Sequence, residues 1–151
     1  MTDNGPRLDV RSPSGSRELA VESGIDAVAI SRFEEFRERS DVDLVQRVFT
    51  DDEISYCEGT SRPAEQYAGR WCVKEAVRKI VDRPGRVPFR SVSVKYAGRE
   101  PVLVLDDAAS SALAETIGAE LDDEGVESAV SLTHDRGTDT AAAVVTVTRC
   151  A

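Results

Sequence analysis

Tyr67-Ala-Gly-Arg-Trp-Cys-Val-Lys-Glu-Ala-Val-Arg-Lys-Ile-Val81 is the stretch on which the reading of this chain turns. Apolar side chains at Tyr67, Trp71, Val73, Val77 and Ile80 make a helical stripe, which predicts one long helix from about Ala64 to Val81. Asp82-Arg-Pro-Gly85 ends it. Tyr67 and Trp71 lie on the stripe and read as core packing. The stretch holds a single carboxylate, Glu75, set among Arg70, Lys74, Arg78 and Lys79. Glu75 and Lys79 are four apart, so they share a face one turn from each other. A lone acid among cations suits metal-assisted chemistry on a phosphate ester. The cations hold the anion while the acid holds the metal or takes a proton.

Charge around this helix points the same way. From Gln66 to Glu100 the chain carries nine basic and three acidic side chains, a local +6 within a chain of net charge −9. A charge run often marks only a solvated helix face. The contrast with the acidic remainder favours a bound polyanion, and a phosphomonoester brings roughly −1.5 to −2 charges at neutral pH. Nucleic acid is a poorer fit, because aromatics are 5% and the remaining acidic surface would repel a phosphate backbone.

The 151 residues suit one domain with its own core, and 40% hydrophobic with 31% charged residues is a globular composition. No apolar run approaches the ~20 residues that span a bilayer, and the N-terminus lacks an apolar signal core. Cys57, Cys72 and Cys150 are odd in number and without CxxC spacing, which fits neither a disulfide framework nor a zinc site. A reduced, cytoplasmic setting is expected.

Residues 1–18, rich in Gly, Pro, Ser and charge, read as a disordered leader before a domain spanning 19–151. Leu19–Ile30 is β-like, with Ile25, Ala27 and Ala29 on one face and Asp26, Val28 and Ile30 on the other. Ser31 reads as the cap of a helix over Phe33–Arg39, and Asp41–Val48 is a second helical piece. Thr50-Asp-Asp-Glu53 has capping-box spacing, so a third helix runs from there to about Glu58. After the long helix, Phe89–Tyr96 and Pro101–Leu105 predict a hairpin turning at Ala97-Gly-Arg-Glu100. Ala108–Leu121 is an Ala-rich helix closed by Asp122-Asp-Glu-Gly125. Strands over Glu127–Thr133 and Thr140–Thr148 flank a polar loop. The expected fold is α+β, an antiparallel sheet packed on one long helix plus shorter helices.

Two further residues carry chemical interest. Asp26 is the only charge between Gly24 and Ser31. A carboxylate on an apolar strand needs a cation or donor to meet it. Either a helix arginine answers it, or it ligates a hard cation such as Mg²⁺, which takes one or two carboxylates beside substrate phosphates. His134, the only histidine, ends a strand in Ser131-Leu-Thr-His134 and reads either as a structural donor or as a site residue.

Four blocks, taken in order, resemble the 4′-phosphopantetheinyl transferases of the small holo-acyl-carrier-protein synthase type. They are Gly24-Ile-Asp-Ala-Val-Ala-Ile-Ser-Arg-Phe33, Val48-Phe-Thr-Asp-Asp-Glu-Ile-Ser-Tyr56, Ala68-Gly-Arg-Trp-Cys-Val-Lys-Glu-Ala76 with Lys79, and Ser131-Leu-Thr-His134 with Ala141-Ala-Ala-Val144. The resemblance covers about residues 21 to 148. It implies transfer of the phosphopantetheine arm from coenzyme A to a serine of an apo acyl carrier protein, with adenosine 3′,5′-bisphosphate released and Mg²⁺ required. It implies that Asp26 and Glu75 hold the metal, that Glu75 helps remove the serine proton, and that Lys79 stabilises the leaving phosphate. By the same resemblance Arg70, Lys74 and His134 bind the coenzyme A phosphates, Arg32 faces the acidic carrier protein, and the chain forms a homotrimer. Because this chain is itself acidic, docking would need a local basic patch, for which Arg32, Arg37, Arg39 and Arg47 are the candidates.

The chain also departs from the family pattern. Ile80-Val-Asp-Arg-Pro-Gly-Arg-Val-Pro88 is shorter and stiffer than the usual glycine-rich continuation, and Gly98-Arg-Glu-Pro101 is one residue longer than the family's hairpin turn. These differences point to an enzyme dedicated to one biosynthetic pathway, such as polyketide assembly, instead of general fatty acid synthesis. The rival expectation is a non-catalytic module of the same fold that binds a carrier protein or coenzyme A.

Overall fold

The computed structural model describes residues 19–39, 42–119 and 125–150. The leader over 1–18, Asp41 at the start of the second helical piece, and the expected close of the Ala-rich helix over 122–124 lie outside the described residues. The elements are β1 (Leu19–Ala29), α1 (Ser31–Glu38), α2 (Val42–Val48), α3 (Asp51–Glu58), α4 (Pro63–Ile80), β2 (Val92–Ala97), β3 (Glu100–Leu105), α5 (Asp107–Ile117), β4 (Val126–Asp135) and β5 (Thr140–Cys150).

Two antiparallel sheets form, a three-stranded one in the order β1-β5-β4 and the β2-β3 hairpin. The expected α+β arrangement holds, with α4 as the element that both sheets meet. Pro63 stands in the first turn of α4, Glu65 near its positive end, and Arg78 and Lys79 near its negative end, each where helix termini favour it. Ala68, Cys72, Val73, Ala76 and Val77 are fully buried along it. Burying each valine contributes on the order of 1.5–3 kcal/mol.

One contact sets the geometry of the site. A Cβ on Gly24 would fall 1.9 Å from the Ala76 carbonyl oxygen, so β1 crosses α4 in direct backbone contact there. Only glycine allows that approach, and it holds the side chain of Asp26, two residues on along the same strand face, against the C-terminal half of α4.

The Thr50 capping box forms as its spacing predicts. Thr50 Oγ1 accepts from Glu53 N at 3.2 Å, and Glu53 Oε2 accepts from Thr50 N at 3.0 Å. The start of the predicted hairpin differs: Phe89–Ser91 is a single 3₁₀ turn, and β2 begins only at Val92. The turn aims the Phe89 and Val92 carbonyls at the buried Lys74 ammonium, a tertiary demand that overrides the local strand pattern. The Ala-rich helix stops at Ile117, short of Leu121, because Gly118 takes the left-handed conformation (φ 66°) and closes it. No helix among the described residues is long and apolar enough to cross a membrane.

The inner face of the three-stranded sheet packs on α4, whereas no element among the described residues covers its outer face. Leu19, Val21, Ile25 and Val144 point outward from it, with Ile25 66% exposed. Ile25 and Val144 are register partners across β1 and β5.

Candidate active site

Asp26 and Lys79 meet where β1 passes α4, with Glu75 one helical turn before Lys79. Lys79 Nζ donates to Asp26 Oδ1 at 2.9 Å and to the Ile25 carbonyl at 2.8 Å. The Asp26 side chain is 15% exposed and that of Lys79 51%, so the pair sits at the surface with the carboxylate recessed. The hydrogen bond to Asp26 holds the Lys79 ammonium above its ordinary range, partial desolvation opposes it, and the nearby charge of Glu75 adds. Glu75 is half-buried, with its Oε1 3.5 Å from Arg78 Nε. The Arg78 guanidinium lies over the Phe89 ring at 4.3 Å.

Cys72 is enclosed behind Asp26, its thiol donating weakly to the Ala141 carbonyl at 3.5 Å. Burial pushes that thiol up to about 12, and the negative charge of Asp26 pushes in the same direction. Of the two readings of Asp26, an ion pair is present, with Lys79 and not an arginine as its partner.

The cations expected to gather around Glu75 are divided by the helical period. Arg70 and Lys79 are nine residues apart, about half a circle around the helix axis. Lys74 is fully buried, and its ammonium donates to Glu53 Oε2 at 2.7 Å, to the Phe89 carbonyl at 3.0 Å and to the Val92 carbonyl. These acceptors use all three of its donors, so the expectation that Lys74 binds a donor phosphate is corrected: it ties α4 to α3 and to the hairpin. Arg70 is enclosed as well, its guanidinium 4.3 Å from the Tyr56 ring and 5.7 Å from that of Tyr96. It faces a separate hollow of about 200 Å³ beside Ser93 and Lys95, away from Asp26. Arg70 therefore does not share the surface of Asp26 and Lys79.

His134 lies at the other end of α4. Its Nδ1 is 3.3 Å from Glu65 Oε2. Glu65 is nearly fully buried, and Arg136 Nε approaches its Oε1 at 3.0 Å, close enough for an ion pair though not aligned as a hydrogen bond. Ten residues of α4 separate Glu65 from Glu75, about 15 Å of helix, so one chain does not bring His134 to the Asp26–Glu75 site. Arg32 is exposed on α1, its guanidinium 5.6 Å from the Trp71 ring and 5.7 Å from that of Phe36. Trp71 in turn stacks on Phe89 at 5.0 Å, so it is a half-buried shelf that links α1 to α4. Arg37, a candidate for the basic patch, is engaged by Glu58, whose Oε2 lies 2.9 Å from its Nη2.

Glu53 and Glu65 were not legible as charge partners. The capping box explained Glu53 locally, and nothing in the local pattern singled out Glu65. A glutamate three residues into each helix, facing a stripe otherwise apolar, is the one signal that marks both.

A recessed carboxylate bonded to a lysine, with a second carboxylate one turn away, is an arrangement for handling a phosphate ester. Residues 22–133 match the family described as the 4′-phosphopantetheinyl transferase superfamily, and the chain belongs to that family, in its holo-acyl-carrier-protein synthase type. It is 34% identical over 127 residues to the holo-[acyl-carrier-protein] synthase of Moorella thermoacetica, covering 83% of this chain and 93% of that protein. Identity to the enzyme of the same name from Geotalea daltonii reaches 44% over 59 residues, but that match spans only 39% of this chain and 47% of that relative, about half its length. Among solved structures, the Chronobacterium ammoniagenes ACPS-CoA complex superposes with a TM-score of 0.66 at 29% identity, covering 87% of this chain and 98% of that one.

Proposed function

We propose that this chain transfers the 4′-phosphopantetheine arm of coenzyme A to a serine of an apo acyl carrier protein. The observation that carries this reading is the bond between Asp26 and Lys79 across 53 residues of sequence, with Glu75 one helical turn from Lys79 and its charge felt there. The coenzyme A complex of the Chronobacterium ammoniagenes relative supports the donor, and the names of the curated relatives support the acceptor.

Asp26 and Glu75 supply hard carboxylate oxygens, the donor type that Mg²⁺ takes, and their small number fits an ion that completes its shell with water and phosphate oxygens. Bound there, the ion would offset the negative charge of the coenzyme A pyrophosphate. Glu75 accepts the proton of the carrier serine hydroxyl as its oxygen bonds to the phosphorus bearing the pantetheine arm. The bond from that phosphorus to the bridging oxygen breaks, and adenosine 3′,5′-bisphosphate leaves. Lys79 uses two of its three donors on Asp26 and Ile25, and the third stabilises the departing phosphate.

His134 binds a phosphate of the donor from a neighbouring copy. In its own chain His134 is engaged by Glu65, about 15 Å of helix from Glu75, which is in keeping with service to a copy other than its own. The uncovered apolar face of the β1-β5-β4 sheet is the surface through which copies associate, in keeping with a homotrimer. Arg32 meets the acidic carrier protein. The altered turn at Gly98–Pro101 suits an enzyme serving a single biosynthetic pathway, and unpaired thiols at Cys57, Cys72 and Cys150 suit the cytoplasm.

Mass spectrometry of candidate apo carrier proteins incubated with coenzyme A and Mg²⁺ tests the activity. The expected result is a gain equal to the phosphopantetheine arm, lost with Glu75→Ala or Asp26→Ala while the fold persists. Transfer at the parental rate by either variant would refute the site.

A further inference from the structure

Helix α1 is anchored along its length by Phe33 and by the Arg37–Glu58 pair, but its N-terminus has no cap of its own. The helix is eight residues long, and only Phe33 on it is fully buried. A helix so short is marginal by itself. The turn between β4 and β5 supplies what is missing. Asp139 Oδ1 accepts from Ser31 N at 2.8 Å, its Oδ2 accepts from Ser31 Oγ at 2.5 Å, and its carbonyl accepts from Ile30 N at 3.1 Å. The Asp139 carboxylate thus satisfies one free N–H at the positive end of the helix, and its carbonyl a second, from more than a hundred residues away. The Asp139 backbone is left-handed (φ 50°), a conformation that few residues other than glycine, asparagine and aspartate adopt readily. The same turn reaches α1 again through Arg136, whose Nη2 is 3.6 Å from Glu34 Oε1.

Arg32 follows Ser31 directly, so whatever fixes Ser31 fixes the direction in which Arg32 leaves the backbone. We propose that Asp139 is a positioning residue for carrier recognition: by capping α1 from the β4–β5 turn it holds Arg32 on the Trp71 shelf, ready for the acidic partner. This inference rests on the reading that the carrier protein docks at Arg32. The cap grips Ile30 and Ser31, four and five residues beyond Asp26 on the chain leaving β1, roughly 13 Å or more away, so its loss acts on carrier affinity and leaves the chemical step alone.

The test uses the full chain with apo carrier protein and coenzyme A. Asp139→Gly keeps the left-handed turn and removes only the carboxylate. The expected result is a three- to tenfold rise in KM for the carrier, with kcat and KM for coenzyme A within twofold, and faster amide exchange over residues 31–34. Ser31→Ala, which keeps the backbone bond, should raise the carrier KM less, and the double variant should be no worse than Asp139→Gly alone. Arg32→Ala separates the two ideas. If it raises the carrier KM while Asp139→Gly does not, the positioning role is overturned and docking at Arg32 stands. If Arg32→Ala changes nothing, docking at Arg32 falls and the inference falls with it.

Discussion

Helix α4 carries two lysine–carboxylate pairs whose surroundings are opposite. Lys74 meets Glu53 at 2.7 Å with both side chains almost wholly buried, and Lys79 meets Asp26 at 2.9 Å with the lysine half exposed. The two lysines are five residues apart, roughly 140° around the axis, so one points into the molecule and the other along its edge. Burial pulls the Lys74 ammonium below its ordinary range, against the pull of Glu53, whereas the bond to Asp26 holds that of Lys79 above it. Every donor of Lys74 is spent on the protein, and Lys79 keeps one for a ligand. Identical functional groups thus divide into a fastener and a candidate catalytic residue by environment alone.

The sharpest way to break the comparison is to remove one lysine from each pair. Lys74→Ala leaves the Glu53 carboxylate buried without its cation, which should cost about 3–5 kcal/mol of stability in urea unfolding. Combining Lys74→Met with Glu53→Gln, which keeps an acceptor for the cap at Thr50, should recover part of that loss. A loss below about 1 kcal/mol for Lys74→Ala would mean that the pair is no fastener.

Lys79→Ala should behave in the reverse sense. The urea midpoint should move little, because an exposed ion pair contributes little to stability. Turnover should fall by about 10²–10³, the range seen when one preorganised donor to a developing charge is removed. KM for coenzyme A should change far less than kcat. Equal damage to both, or a stability loss like that of Lys74→Ala, would erase the distinction between the pairs.

How much of this was readable in advance follows from the distance over which each feature is decided. The capping box at Thr50 and Glu53 was legible because four consecutive residues determine it. That Glu53 also binds Lys74 was not, since the pairing needs α3 and α4 to pack first. The helical period of α4 was plain, yet the charges on it were read as one cluster when the same period sends Arg70 and Lys79 to opposite sides. Asp26 stood out as a charge in an apolar strand, and its partner was open until Gly24 brought β1 onto the Ala76 carbonyl. Asp139 gave no local sign at all, because the helix it caps begins 108 residues earlier.

The two buried cysteines offer a quieter probe of the same contrast. Cys57 lies on α3 beside the Glu53–Lys74 pair, Cys72 lies on α4 behind Asp26, and burial pushes both thiols from 9.0 to about 12. Above pH 9 the unfolded chain therefore releases thiol protons that the native protein retains. The native state then binds more protons than the unfolded one, so stability falls as pH rises from about 9 toward 12, by at most ~1.4 kcal/mol per pH unit for each thiol. Urea unfolding at pH 8, 9 and 10 should show this decline, and Cys57→Ala or Cys72→Ala should each remove its own share. Asp26→Asn should shrink only the Cys72 share, because the Asp26 charge adds to that shift and does not reach Cys57. A decline equally steep in the parent and in both alanine variants would place its cause elsewhere, and an Asp26→Asn effect on the Cys57 share would mean that the two sides of α4 are not electrically separate.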